Sequence, residues 1–160
     1  MKINKKLNDA INAQIVEELK AANGYANMAA YFNSLGLLKL SAMFFAQSEE
    51  EREHAMKFVH YLLEVEGDVA IAAIPAVPYQ FESVKACFKT ALSWEKEVTA
   101  NINHLMDMAV ELKDYASQDF LQWYVNEQIE EEANMSHLLA LAEALGDRPM
   151  FFLEGHLPTD

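Results

Sequence analysis

The chain is poor in the residues that staple or break a fold. It has one cysteine, Cys87, so no intrachain disulfide can form, a usage that suits a reducing compartment. Four prolines and five glycines are spread over 160 residues. That leaves room for long helices and little for the frequent turns of an all-β fold. No apolar run approaches the ~20 residues of a membrane-spanning helix. The opening Met1-Lys2-Ile3-Asn4-Lys5-Lys6 lacks the apolar stretch and cleavage site of a secretory signal, so the expected location is cytoplasmic, with no membrane partner. Basic residues are scarce as well: 12 Lys and Arg stand against 25 Asp and Glu, for a net charge of -13. Such a balance repels nucleic acid and anionic membrane and attracts cations.

What is present suits one domain over residues 1–160. Hydrophobic residues make up 52%, too many for a disordered chain. No low-complexity segment, strand pattern or close repeat is visible. Four long helices are expected over about 7–145, and a short terminal one over about 148–154.

Leu7 to Phe32 reads as the first helix, with Leu7, Ile11, Gln14, Glu18, Ala21, Tyr25, Met28 and Phe32 on one face. Gly36 is its expected stop. The second runs from Leu38 to Glu66 and is ended by Gly67. Its face carries Leu40, Phe44, Gln47, Glu51, His54, Phe58 and Leu62 or Tyr61. An apolar connection with Pro75 and Pro78 follows, from Gly67 to Phe81. Its 15 residues, extended, cover roughly 50 Å, and the preceding helix is roughly 42 Å long. The connection can therefore run the length of the bundle, which makes helices two and three parallel.

Ser83 is the expected cap of the third helix, whose face is Val84, Phe88, Ala91, Glu95, Val98, Ile102, Leu105 and Ala109. A break near Glu111 to Ala116 turns the chain. The fourth face carries Leu121, Tyr124, Gln128, Glu131, Met135, Leu138, Ala142 and Leu145, and Gly146 ends it. Asp147 is the expected cap of a last helix, Arg148 to Glu154, stopped by Gly155. Its Met150-Phe151-Phe152-Leu153 is too apolar for a free tail and suggests a subunit contact.

Every stripe carries an acid near its middle. Glu18 lies 11 residues after Leu7, Glu51 lies 11 after Leu40, Glu95 lies 11 after Val84, and Glu131 lies 14 before Leu145. Packed together, these levels bring Glu18, Glu51, His54, Glu95, Gln128 and Glu131 to one buried site. Four clustered carboxylates raise each other's pKa unless positive charge compensates them. The stripes offer no Lys or Arg. Two divalent cations balance the charge, and a mixed oxygen and nitrogen ligand set suits Fe, Mn or Zn.

This pattern resembles the ferritin-like di-iron bundle, in which two helices give one Glu each and two give Glu-x-x-His. Glu18 and Glu95 look like the single acids, and Glu51-Arg52-Glu53-His54 like the first Glu-x-x-His. The second is altered to Gln128-Ile129-Glu130-Glu131. That change, with Phe120-Leu121-Gln122-Trp123-Tyr124-Val125-Asn126-Glu127-Gln128, is similar to non-haem bacterial ferritin, and the resemblance covers nearly the whole chain. It implies an all-α, ferritin-like four-helix bundle, up-down-down-up, with a long crossover between helices two and three and a short fifth helix. It also implies a 24-subunit homo-oligomeric cage storing iron, and ferroxidase activity: oxidation of Fe2+ to Fe3+ by O2 or H2O2. Site A would use Glu18, Glu51 and His54. Site B would use Glu51 as a bridge with Glu95 and Glu131, and Gln128 would be a weak ligand or a hydrogen-bond donor to bound oxygen. Glu50, Glu127 and Glu130 resemble a third iron site facing the cavity. Tyr25 would supply an electron. Relatives that bind haem between subunits place Met where this chain has Arg52, so no haem is expected there.

Trp123 and Tyr124 read as core packing or as further electron donors. Glu49, Glu53 and Glu132 read as solvated or as lining an iron path. His60, His104, His137 and His156 fall off the stripes and read as surface or interface. Two other readings compete. A di-metal peroxidase or oxidase without storage would usually carry an electron-donor domain with paired Cys-x-x-Cys, which one cysteine cannot supply. A redox-silent bundle that buffers cations is the second.

Overall fold

A computed structural model describes residues 2–157. They form four long helices and one short one, α1 (Lys5–Ser34), α2 (Leu38–Glu64), α3 (Val84–Glu111), α4 (Tyr115–Leu145) and α5 (Phe151–Glu154), with no strand among them. The order and type of the elements match the sequence reading. None of these helices is long and apolar enough to cross a membrane.

Cross-helix contacts fix the directions. Ile3 donates its N–H to Val65, and Ser41 and Ser48 donate to the Ala29 and Ala22 carbonyls, so α1 and α2 are antiparallel. Phe32 meets Phe88 while Tyr25 meets Trp94, so α1 and α3 are antiparallel too. Phe58 stacks on Tyr124 and Tyr61 on Phe120, which sets α2 against α4. The bundle is therefore up-down-down-up, with α2 and α3 parallel. The crossover runs along α1. Asn8 and Asn12 hold its start through the backbone of Asp68 and Ala70 at 2.7–3.1 Å, and Asn27 donates to Pro78 near its end at 3.0 Å.

Local chemistry sets the ends. Asn4 caps α1 by accepting from the Lys6 N–H, and Gly36 (φ 77) closes its other end, as expected for a left-handed C-terminal position. Ser83 caps α3. Asp114 caps α4, accepting from both the N–H and the hydroxyl of Ser117.

The first helix runs two residues further at each end than the expected Leu7 to Phe32, and two other boundaries differ from expectation. The second helix ends at Glu64, not Glu66. Glu66 itself takes the left-handed backbone (φ 54), and Gly67 donates to the Leu62 carbonyl at 2.7 Å. Gly67 is needed for space: a Cβ there would stand 2.6 Å from the Asn8 side-chain oxygen. The terminal helix is shorter than the expected Arg148 to Glu154, and Met150 rather than Asp147 precedes it, without a side-chain cap. Pro149 has no N–H to donate, and the chain turns at Gly146 (φ 61). The Glu154 carboxylate accepts from the Leu40 N–H at 3.0 Å. That satisfies a donor at the start of α2, which has no capping side chain of its own. Leu153 is buried, while Phe151 and Phe152 face outward.

The core is two clusters. One packs the α1 N-terminal half with the C-terminal halves of α2 and α3 and the start of α4, around Ile11, Phe58, Leu62, Ile102 and Tyr124. The other fills the opposite end around Met28, Phe32, Phe44, Phe88 and Leu138. Between them lies a layer of buried polar side chains.

Candidate metal centre

That layer contains Gln14, Glu18, Gln47, Glu51, His54, Glu95, Gln128 and Glu131, all buried. Each acid sits at the middle of its helix, where the 3.6-residue period keeps it on the inward stripe. Three groups of side chains offer ligand atoms within 4.8 Å of one another: Glu18, Glu51 and His54; Glu51, Glu95 and Glu131; and Glu50, His54, Glu127 and Glu131. Glu51 is common to the first two. The residues assigned to sites A and B are thus brought together around one shared carboxylate.

The third group overlaps the expected outer rank only in part. Glu50 and Glu127 belong to it, but Glu130 does not and is exposed. It remains close enough for its charge to act on Glu50. His54 faces both ways, with Nδ1 3.4 Å from Glu51 and Nε2 3.7 Å from Glu127.

Hydrogen bonds hold the acids in place. Gln14 donates to Glu18 at 2.9 Å. Gln47 donates to both Glu51 and Glu131, at 3.0 and 2.8 Å. Tyr25 donates to Glu95 Oε1, and Gln128 to Glu95 Oε2 at 3.2 Å. Tyr124 anchors α2 by donating to the His54 carbonyl at 2.7 Å. Gln14 and Gln47 stand on the sequence stripes but were assigned no role there. The available signal is that each precedes an acid by four residues, the spacing at which side chains meet on a helix.

The electrostatics are those of a crowded anionic pocket. Burial, and then the Glu51 charge, hold Glu18 well above the usual carboxylate range. Glu95 is pushed up to about 7 by burial and Glu51, against the opposing hydrogen bonds of Tyr25 and Gln128. Glu131 rises to about 9 through burial and the charges of Glu95 and Glu51. Burial alone would lower the His54 pKa, but Glu51, Glu50 and Glu127 outweigh it and the net shift is upward. Tyr25 is raised by burial and by Glu95. Without positive charge the site therefore retains protons at neutral pH. The Glu18 Oε2 atom is the only buried side-chain oxygen or nitrogen among the described residues with no hydrogen-bond partner. An orphaned buried acceptor beside other carboxylates fits a cation that all of them would share.

Trp123 packs edge-on to His54 with its ring centroid 5.4 Å away, and Lys57 lies 4.0 Å over it. Tyr124 is fully buried on Phe58. His60, His104, His137 and His156 are all exposed. A surface cavity of about 540 Å³ between α2 and α4 opens onto His54, Glu50 and Glu127. A second, of about 420 Å³, lies between α3 and α4 and reaches Gln128.

Known proteins resemble this chain over most of its length. The bacterial non-heme ferritin of Staphylococcus saprophyticus is 34% identical over 145 residues, covering 91% of this chain and 87% of that protein. Ferritin BfrB of Mycobacterium tuberculosis is 36% identical over 155 residues, covering 97% and 85%. An open pore ferritin from the archaeon Archaeoglobus fulgidus superposes with a TM-score of 0.93 at 37% identity, covering 97% of each chain. The ferritin-like domain family matches residues 8–145, nearly the whole bundle, and with these relatives it places the chain in the ferritin family.

Proposed function

We propose that this chain is an iron-storing ferroxidase. The observation that carries the reading is the pair of buried ligand groups joined through Glu51, one with Glu18 and His54, the other with Glu95 and Glu131. Two Fe2+ ions are its substrates. Each gives up one electron. O2 taking both electrons and two protons leaves as H2O2; H2O2 taking the same leaves as two waters. The chain's part is to hold the ions side by side and to balance charge. Cation binding displaces protons from Glu18, Glu95 and Glu131, whose pKa values burial has raised. Those protons are then at hand for the reduced oxidant. Where one Fe2+ is wanting, Tyr25, bonded to Glu95, supplies the second electron instead: its phenol gives one electron and one proton to the oxidant and is left as a phenoxyl radical. Gln128 acts as a donor to Glu95.

Fe3+ then moves by way of Glu50, Glu127 and Glu130 into a mineral inside a homo-oligomeric cage, expected to be a 24-mer working in the cytoplasm without haem. The acid-lined cavity between α2 and α4 supports this direction of travel, because its charge attracts cations.

Glu51→Ala and His54→Ala should each slow Fe2+ oxidation by at least about 100-fold in stopped-flow absorbance. Oxidation at wild-type speed would refute the assigned site. Native mass measured after iron loading tests storage separately. A monomer or dimer that never acquires a mineral core would refute that half.

A further inference from the structure

The α3–α4 groove ends on three side chains joined in a row. Gln128 Nε2 lies 3.1 Å from the Glu95 carbonyl, 3.2 Å from Glu95 Oε2 and 3.3 Å from Thr99 Oγ1. Thr99 Oγ1 in turn lies 2.6 Å from a Glu132 carboxylate oxygen and 3.0 Å from the Glu95 carbonyl. Thr99 and Glu132 stand outside the ligand groups of the centre.

The proton count gives this row a direction. A threonine hydroxyl has one proton to donate. Its shorter partner is the carboxylate of Glu132, so the proton is assigned to that contact. With its proton committed there, Thr99 can meet Gln128 only as an acceptor. The Gln128 nitrogen must then be the atom that faces Thr99. The Glu95 carbonyl can only accept, so it requires the nitrogen as well. A flipped amide would set its oxygen against the Glu95 carbonyl and the Thr99 oxygen, neither of which then has a proton to give it.

We infer that Thr99 and Glu132 are positioning residues for the metal-binding carboxylate Glu95: they lock the Gln128 amide so that its nitrogen donates to Glu95. The inference rests on the ferroxidase reading of the centre. Glu95 is then held on both oxygens, by Tyr25 on Oε1 and by Gln128 on Oε2. Its orientation toward Glu51 and Glu131 is set before a cation arrives. The lock acts on the Glu95 side of the centre and leaves Glu18 and His54 alone. Glu132, expected from the sequence to be solvated or to line an iron path, bonds Thr99 through one oxygen while lining the α3–α4 groove.

The test is anaerobic calorimetric titration of the metal-free assembly with Fe2+, resolving two binding steps per chain. Thr99→Val keeps the shape and removes the hydroxyl. It should weaken the Glu95-dependent step by about five- to tenfold, the scale of one buried hydrogen bond, and leave the other step unchanged. Thr99→Ser should restore it. Glu132→Gln should weaken the same step, because its amide can donate to Thr99 and free the hydroxyl proton to reverse the row. Equal weakening of both steps by Thr99→Val, or no rescue by serine, marks a packing effect and overturns the inference. So does a Thr99→Val titration that matches wild type. Glu131→Ala run alongside separates the two readings. If it leaves both steps intact, the centre itself is misassigned and the inference falls with it. If it abolishes one step while Thr99→Val does nothing, only the inference falls.

Discussion

Removing the cations should make this protein less stable as pH rises. Glu95 has a folded-state pKa of about 7 against 4.5 for the free side chain, and Glu131 one of about 9. For an acid raised on folding, the folded state binds more protons than the unfolded one between those two values. Stability is then fully present below pH 4.5 and is lost as pH rises through the folded values. The raised pKa of His54 acts in the same direction. At about 1.4 kcal/mol per pH unit, the Glu95 window of 4.5 to 7 amounts to roughly 3 kcal/mol. Glu131 does not add a full share, because the Glu95 charge is one of the causes of its shift. The assay is urea denaturation of chelator-treated protein at pH 5, 6, 7 and 8, at fixed protomer concentration because assembly is linked to folding. The midpoint should fall across the series. Glu131→Gln, an uncharged mimic of the protonated acid, should flatten the slope, and added Zn2+ should reverse it. Stability that is flat or rising over this range would refute the picture of a proton-filled, charge-crowded site.

Three further outcomes follow from packing and hydrogen bonding. Gly24→Ala should destabilise the fold by about 1–3 kcal/mol in a thermal melt, because the new Cβ would overlap the Trp94 ring; an unchanged melt would place Trp94 elsewhere. Asp114→Ala should cost about 1 kcal/mol by uncapping α4, where the carboxylate bonds both polar groups of Ser117. Asp114→Asn should recover most of the loss. Gln47→Leu strips one donor from both Glu51 and Glu131. It should lower metal-free stability by about 1–3 kcal/mol, with a smaller deficit once Zn2+ is bound. A deficit that is the same with and without metal would mean Gln47 serves only to fill space.

The architecture was legible because the polar residues interrupt otherwise regular apolar stripes. Glu18, Glu51, Glu95 and Glu131 each sit in a short polar stretch of an otherwise apolar stripe, and helical periodicity fixes their level. The structure places them in one layer. The residues that orient them were harder to see. Gln14 and Gln47 look like ordinary polar members of a stripe until their amides are seen bonded to carboxylates. Thr99 and Glu132 lie off the stripe, 33 residues apart, and only the α3–α4 approach joins them. Chain ends escaped for a different reason. Gly67 and Asp147 carry familiar stop and cap chemistry, yet Glu66 takes the left-handed position and the last helix begins only after Pro149. There, tertiary contacts to Asn8 and Leu40 outweigh local preference.

The division of the apolar core has a mechanical consequence. On one side of the polar layer Phe58 and Tyr124 stack at 4.1 Å, and Tyr61 and Phe120 at 3.8 Å. On the other, Phe32 and Phe44 meet at 4.8 Å, with Phe88 at 5.9 Å from each. These two aromatic collars set the spacing of the helices from above and below. The backbone of the polar layer is thereby held from both sides, and side-chain hydrogen bonds rather than packing orient the carboxylates between the collars. A bundle built this way separates two tasks: stacked rings set the distance between helices, and the polar layer between them is relieved of that duty.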